Sequence, residues 1–170
     1  MINKSKNARV LVMAPNMIGL QDGVNRIQPG HGMASIAGNL RDLGYEVIVR
    51  DTALEGYKNE VSIGKNGLVL IGEDVTKTKK FIDDIRPDWL LVSILFSNLA
   101  GHGKTIARIA KEVSPDIKVV LGGNHVNNTY ENILNEPYVD FVVLGECDFS
   151  VGELINTYQN GGDVGNIPGV

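Results

Sequence analysis

Apolar residues along this chain follow two rhythms that alternate from one end to the other. Short apolar-rich runs, Val10–Ala14, Tyr45–Val49, Trp89–Phe96, Ile117–Leu121 and Phe141–Leu144, read as strands of a sheet covered on both faces. Between them apolar residues recur every three or four positions, which predicts helices near 33–43, 76–85, 105–113, 129–134 and 149–158. Met33, Ile36, Leu40 and Leu43 share one face of the first helix, and Gly44 is placed to end it. Phe81, Ile82 and Ile85 line the second, which Arg86-Pro87 stops. One stretch breaks the rhythm. Val61–Ile71 alternates around Lys65-Asn66-Gly67, and Asn-Gly between alternating runs predicts a β-hairpin inserted after the second strand.

Strands joined by helical crossovers predict an α/β domain with a parallel sheet covered on both sides. The number and order of elements fit a flavodoxin-like (Rossmann-like), doubly wound five-stranded sheet in the order 2-1-3-4-5. The domain is expected to span residues 1–160, with a loose tail over 161–170. In such sheets ligands gather at the carboxyl ends of the strands, beside the switch between strands 1 and 3. The loops after Ala14, Leu95, Leu121 and Val143 are therefore where chemistry is expected.

Composition narrows the classes of function. The 170 residues are 43% hydrophobic and 21% charged, as a single packed domain requires. Lys and Arg total 16 against 20 Asp and Glu, so no basic surface is expected for nonspecific nucleic-acid binding. The uncharged run Trp89–Gly101 is shorter than the roughly 20 residues of a membrane-spanning helix. Val10–Pro15 is too brief to act as a secretory signal behind the basic start, so a cytoplasmic setting is expected. Cys147 is the single cysteine, which excludes an intrachain disulfide and a multi-cysteine metal or iron–sulfur site.

Two common uses of this framework find no support at the strand ends. A phosphorylation receiver needs acids there, but the chain has Ala14-Pro15-Asn16 and Ser93-Ile94-Leu95-Phe96-Ser97. The first loop also lacks G-x-G-x-x-G. Asn98–Thr105 resembles a phosphate-binding loop only loosely, because Asn98 stands where the first glycine should. It reads as the start of a helix with Lys104 in solvent.

A different constellation remains. Ser93 and Leu95 end the third strand, Gly122-Gly123 follows the fourth, and Gly145-Glu146 follows the fifth. A small hydroxyl residue and bare glycines at neighbouring strand ends imply a slot between sheet and helices, where an elongated ligand lies against backbone. Side chains at 122 and 123 would be expected to fill that slot. The glycine pair read alone also fits a tight turn.

Ser93-x-Leu95, then residues 96–121, then Gly122-Gly123 resembles the S-x-L…G-G pattern of cobalamin-binding domains. Arg86–Ser97, Val120–His125 and Asp140–Glu146 are similar to the amino-terminal domain of cobalamin-dependent radical SAM enzymes. Gly161–Gly169 resembles the linker that joins that domain to the catalytic barrel. The resemblance implies cobalamin with its nucleotide tail in the slot and its corrin ring on the strand ends. It assigns Ser93, Leu95, Gly122 and Gly123 to the tail, with Gly145 and Glu146 closing the far side. Met17, Ile18 or Leu20 would shield the underside of the ring, and Ser97, His102 and His125 are further candidate contacts.

The mutase motif D-x-H-x-x-G is absent, because Pro29 and Ala34 flank His31 where Asp and Gly should stand. Base-off cobalamin without a histidine on cobalt is therefore expected. His31 reads as a surface or capping residue, and Cys147 as a small buried or loop residue. The resemblance further implies a parent enzyme, most often a methyltransferase and in some relatives a ring-forming enzyme. Its barrel, in cis, would hold S-adenosylmethionine and a [4Fe-4S] cluster that this chain cannot hold. Two alternatives stay open: a binder of FMN or a nucleotide through Asn98–Thr105, and an interaction domain without ligand.

Overall fold

The computed structural model describes residues 8–28, 30–64 and 66–170. The basic start up to residue 7, Pro29, and Lys65 at the tip of the expected hairpin lie outside the described residues. In chain order the strands are β1 (Arg9–Ala14), β2 (Met17–Leu20), β3 (Glu46–Asp51), β4 (Glu60–Ile63), β5 (Leu68–Ile71), β6 (Trp89–Ser93), β7 (Lys118–Gly122) and β8 (Phe141–Val143). The helices are α1 (His31–Asp42), α2 (Thr52–Glu55), α3 (Val75–Ile85), α4 (Ala100–Val113), α5 (Asn124–Asn127), α6 (Tyr130–Leu134) and α7 (Ser150–Gln159).

The parallel sheet runs β3-β1-β6-β7-β8, which is the expected 2-1-3-4-5 order. Alternation along its strands divides the core into two layers. Val10 and Val12, Trp89 and Leu91, and Val120 and Val143 face α1 and α7. Leu11 and Met13, Leu90, Val92 and Ile94, and Val119 and Leu121 pack on the opposite face with Ile106, Ala110 and Ile133 from the helices there. Each such aliphatic side chain taken fully out of water contributes about 1.5–3 kcal/mol. α1 ends as expected: Gly44, at φ 91°, and Tyr45 donate their N–H groups to the carbonyls of Arg41 and Leu40.

The hairpin forms, with β4 and β5 antiparallel, but it has a third strand. Met17–Leu20, expected as loop, pairs antiparallel with Leu68–Ile71, giving a second sheet in the order β2-β5-β4. That sheet stands at the carboxyl end of the main one. α4 also starts earlier than expected, running through Gly101 and Gly103 from Ala100 after a 3-10 turn at Ser97–Leu99. Lys104, expected in solvent, pairs with Glu136 at 2.7 Å. No glycine-rich loop is left there to cradle a phosphate.

The tail is not loose. Asp163 accepts hydrogen bonds from the Gly165 N–H and the Asn166 amide, and Ile167 is buried in the α1/α7 layer. At the amino end of the main sheet Trp89 stacks on Phe141, and Tyr158 meets both rings edge-on. No helix among the described residues is long and apolar enough to cross a membrane.

Candidate functional site

The register of the main sheet builds the site. Ser93 of β6 aligns with Gly122 of β7, which aligns with Val143 of β8. Alternation turns Ser93 and Gly122 to the face covered by α1 and α7, so the last residues of β6 and β7 on that face are small. Sheet and helices consequently do not close over them. A slot of about 320 Å³ opens there, floored by Val12, Leu91 and Val120 and walled by Gly32 and Ile36 of α1 and Val151 of α7. Gly145, Glu146, Cys147 and Asp148, from the loop after β8, form its far side.

The expected glycine pair does two different jobs. A Cβ on Gly122 would meet only the Val143 carbonyl oxygen, at 3.4 Å, so the position is bare where the slot passes. Gly123 has φ 103°, and a Cβ there would stand 2.6 Å from the Ile94 carbonyl oxygen. The reading that a side chain at 123 would fill the slot is therefore corrected. Gly123 keeps its backbone against Ile94, whose carbonyl also accepts the His125 N–H. Added Cβ atoms at Gly32 and Gly145 would meet nothing within 4 Å.

A second cavity, of about 450 Å³, lies over the ends of β1 and β6 and shares Gly32, Ser93 and Leu95 with the slot. Its lining includes Pro15, Met17, Ile27, His31, Asp51 and Phe96. Both volumes fall in the roughly 300–1,000 Å³ range of small-molecule and cofactor sites. The slot's floor is aliphatic, and Ser93, Asn124, Asn127, Glu146 and Asp148 bring polar groups to its lining. Among the described residues the Ser93 hydroxyl has no hydrogen-bond partner, and Asn127 accepts from the Gly145 N–H at 2.9 Å. Burial pushes the Cys147 thiol above its ordinary pKa, and Asp148 and Glu146 add to the shift. The thiol stays protonated and is a poor nucleophile at neutral pH.

Ser93, Leu95, Gly122, Gly123, Gly145 and Glu146 converge on the slot, Gly123 through its backbone alone, and Met17 joins Leu95 at the larger cavity. Ile18 and Leu20, from the same strand as Met17, do not line either cavity, and Leu20 is exposed. Ser97 and His125 come together but outside both cavities: His125 Nδ1 lies 3.0 Å from the Ser97 hydroxyl, and Nε2 is 3.3 Å from that of Thr129. His102 faces a separate small niche with Asn16, Thr52, Glu73 and Thr78, where burial lowers its pKa. His31, read as a surface residue, is exposed yet lines the larger cavity.

Sequence reasoning missed Gly32, Asn127, Cys147 and Asp148 as slot residues. Gly32 carried no such signal, because it precedes the helix expected over 33–43, and only the earlier start of α1 at His31 brings it to the slot. Among the described residues no group of three or more His, Cys, Asp or Glu side chains is placed to hold a metal ion.

Comparison with known proteins bears on what enters these cavities. The model of the B12 binding domain family matches residues 24–154. Cytidylyl-2-hydroxyethylphosphonate methyltransferase of Streptomyces wedmorensis is 29% identical over 143 residues, covering 84% of this chain and 27% of that protein. The cobalamin-dependent radical SAM methyltransferase TokK of Streptomyces tokunonensis is 34% identical over 88 residues, 51% of this chain and 13% of that one. The chain thus spans less than a third of the length of these relatives. Among solved structures, the radical S-adenosylmethionine methyltransferase TsrM of Kitasatospora setae with cobalamin and a [4Fe-4S] cluster bound superposes with a TM-score of 0.67 at 18% identity. That match covers 96% of this chain and 26% of TsrM, and at such identity the likeness is one of fold.

Proposed function

This chain belongs to the B12-binding domain family, and from that premise we propose how it works: it holds cobalamin with the nucleotide tail in the slot and the corrin ring over the larger cavity. In the same reading it is the cofactor-holding domain of a cobalamin-dependent radical SAM methyltransferase of the cytoplasm. The names of the relatives from the two Streptomyces species support that assignment. S-adenosylmethionine and the [4Fe-4S] cluster belong to a catalytic domain in cis, with 161–170 leading toward it.

The observation that carries the reading is one slot bordered by Gly32 and Gly122, where an added Cβ would meet nothing closer than 3.4 Å, while Gly145 is set by its φ of 72°. Folding does not require a glycine at Gly32, whereas an occupant passing between α1 and β6 does. Desolvating about 200 Å² of a benzimidazole tail over this aliphatic floor contributes roughly 5 kcal/mol, less the lost freedom of the bound molecule. The Ser93 hydroxyl is free to bond a polar atom of the tail without adding bulk. Bound there, cobalamin would supply methyl-transfer chemistry, while this chain binds, orients and shields it.

No histidine of this chain serves cobalt in this reading, and the cofactor is held base-off. His31 is the histidine that lines the ring cavity, so His31→Ala should leave the visible spectrum of the bound cofactor unchanged; a band shift would overturn the claim. The decisive experiment mixes the protein separately with hydroxocobalamin, FMN and ATP, followed by gel filtration. Co-elution of a red-brown cobalamin species is expected. Retention of FMN or ATP in its place, or of none of the three, would refute the reading.

A further inference from the structure

We propose that Val164–Val170 is a strap that positions the far wall of the slot, so that it controls the grip on the nucleotide tail and not on the corrin ring. The inference rests on the proposed seat of the tail.

β8 is a three-residue edge strand whose pairing with β7 ends at Val143. The residues that wall the slot, Gly145 to Asp148, come directly after it and have no sheet to hold them. Hydrogen bonds from three directions take over. Asn127 accepts the Gly145 N–H at 2.9 Å, and the Ser35 hydroxyl donates to the Asp148 carboxylate at 2.8 Å. The strap supplies the two that bracket the loop. Gly169 accepts the Leu144 N–H at 2.7 Å, and Pro168 accepts the Ser150 hydroxyl at 3.1 Å.

The strap is itself anchored. Ile167 is 5% exposed in the α1/α7 layer, and the Val170 N–H closes a turn on the Ile167 carbonyl. Gly169 has φ 81°, and a Cβ there would lie 2.8 Å from the Leu144 carbonyl oxygen. Backbone thus presses on backbone at the one point where the strap meets the end of β8. No strap residue lines either cavity; its hydrogen bonds reach the slot through the loop, while Ile167 packs in the layer behind the slot. That loop walls the slot alone and contributes nothing to the larger cavity. A loop fixed before binding spares the ligand the entropy of ordering it.

The test uses the 170-residue chain with two ligands, hydroxocobalamin and cobinamide, the second lacking the nucleotide tail. Gly169→Val, which should lift the strap, is expected to weaken cobalamin about tenfold and cobinamide by less than about twofold. Cys147, in the loosened wall, should react severalfold faster with iodoacetamide in the ligand-free variant. Ser150→Ala, which removes one hydroxyl and leaves the backbone contact, should weaken cobalamin by about two- to threefold and serves if Gly169→Val does not fold. Equal losses for both ligands, or unchanged cobalamin affinity in both variants, would overturn the inference. Wild-type protein that holds cobinamide as tightly as cobalamin would instead overturn the seat of the tail, and the inference with it.

Discussion

The slot and the larger cavity share Gly32, Ser93 and Leu95, yet they are made by opposite means. The slot is a subtraction from regular structure. Sheet register and alternation bring Ser93 and Gly122 to one face, and two helices span a gap that larger residues would have filled. The larger cavity is an addition, walled by Ile27, His31 and Asp51 and by Met17 of the added sheet. On its sheet and helix sides the slot has a fixed shape and selects by fit, and only the loop after β8 can adjust. The larger cavity depends on an added sheet and a loop for its outer wall, so its shape follows theirs.

Gly122→Val sharpens this contrast most strongly. Its added methyl groups enter the slot from a strand that tolerates valine, so cobalamin affinity should drop about a hundredfold, roughly 2.7 kcal/mol. Cobinamide affinity and the unfolding midpoint should stay near wild type, as titration and thermal unfolding would report. Cobalamin binding at wild-type strength would refute the slot. Gly123→Ala should do the reverse, destabilising the fold by about 1–3 kcal/mol in urea unfolding through its left-handed backbone and its contact with Ile94.

Gly32→Ala separates folding from binding by sign. The helix should gain up to about 1 kcal/mol, while cobalamin affinity should fall severalfold because the new methyl stands where slot and larger cavity meet. A gain in both would mean the ligand passes elsewhere. The smallest effect belongs to His102, which lies outside both cavities. Burial lowers its pKa below 6.5, so the unfolded chain takes up its proton first on acidification. The stability that neutral His102 contributes is present above 6.5 and is lost as pH falls toward its lower folded value. His102→Gln should flatten the fall in urea-unfolding free energy across that window without altering cobalamin affinity.

The slot was legible because its logic is one of strand ends. Apolar-rich runs located the strands, and their ends, at Ser93, Gly122 and Gly145, followed. Gly122 and Gly123 look alike in sequence, however, and only the approach of the Ile94 backbone tells them apart. The larger cavity was less legible. Met17–Leu20 offers four residues of strand signal with a glycine among them, and its partner, Leu68–Ile71, lies far along the chain. Such pairing is decided by tertiary contact, which local periodicity does not record. The surroundings of His125 were hidden for a related reason. It follows the glycine pair, but the short helix it sits on turns its ring to Ser97 and Thr129.

The aromatic cluster at the opposite end of the sheet gives this protein an internal optical gauge. Trp89 is its single tryptophan, buried against Phe141 and Tyr158 and shielded from whatever enters the slot. Yet it starts the same strand that Ser93 ends, about 13 Å away at the rise of an extended chain. Its emission overlaps the near-ultraviolet absorption of a corrin, so arrival of the ring should dim it by energy transfer across the sheet. Fluorescence would then count bound corrin on the unlabelled protein, whether or not the ring carries its tail.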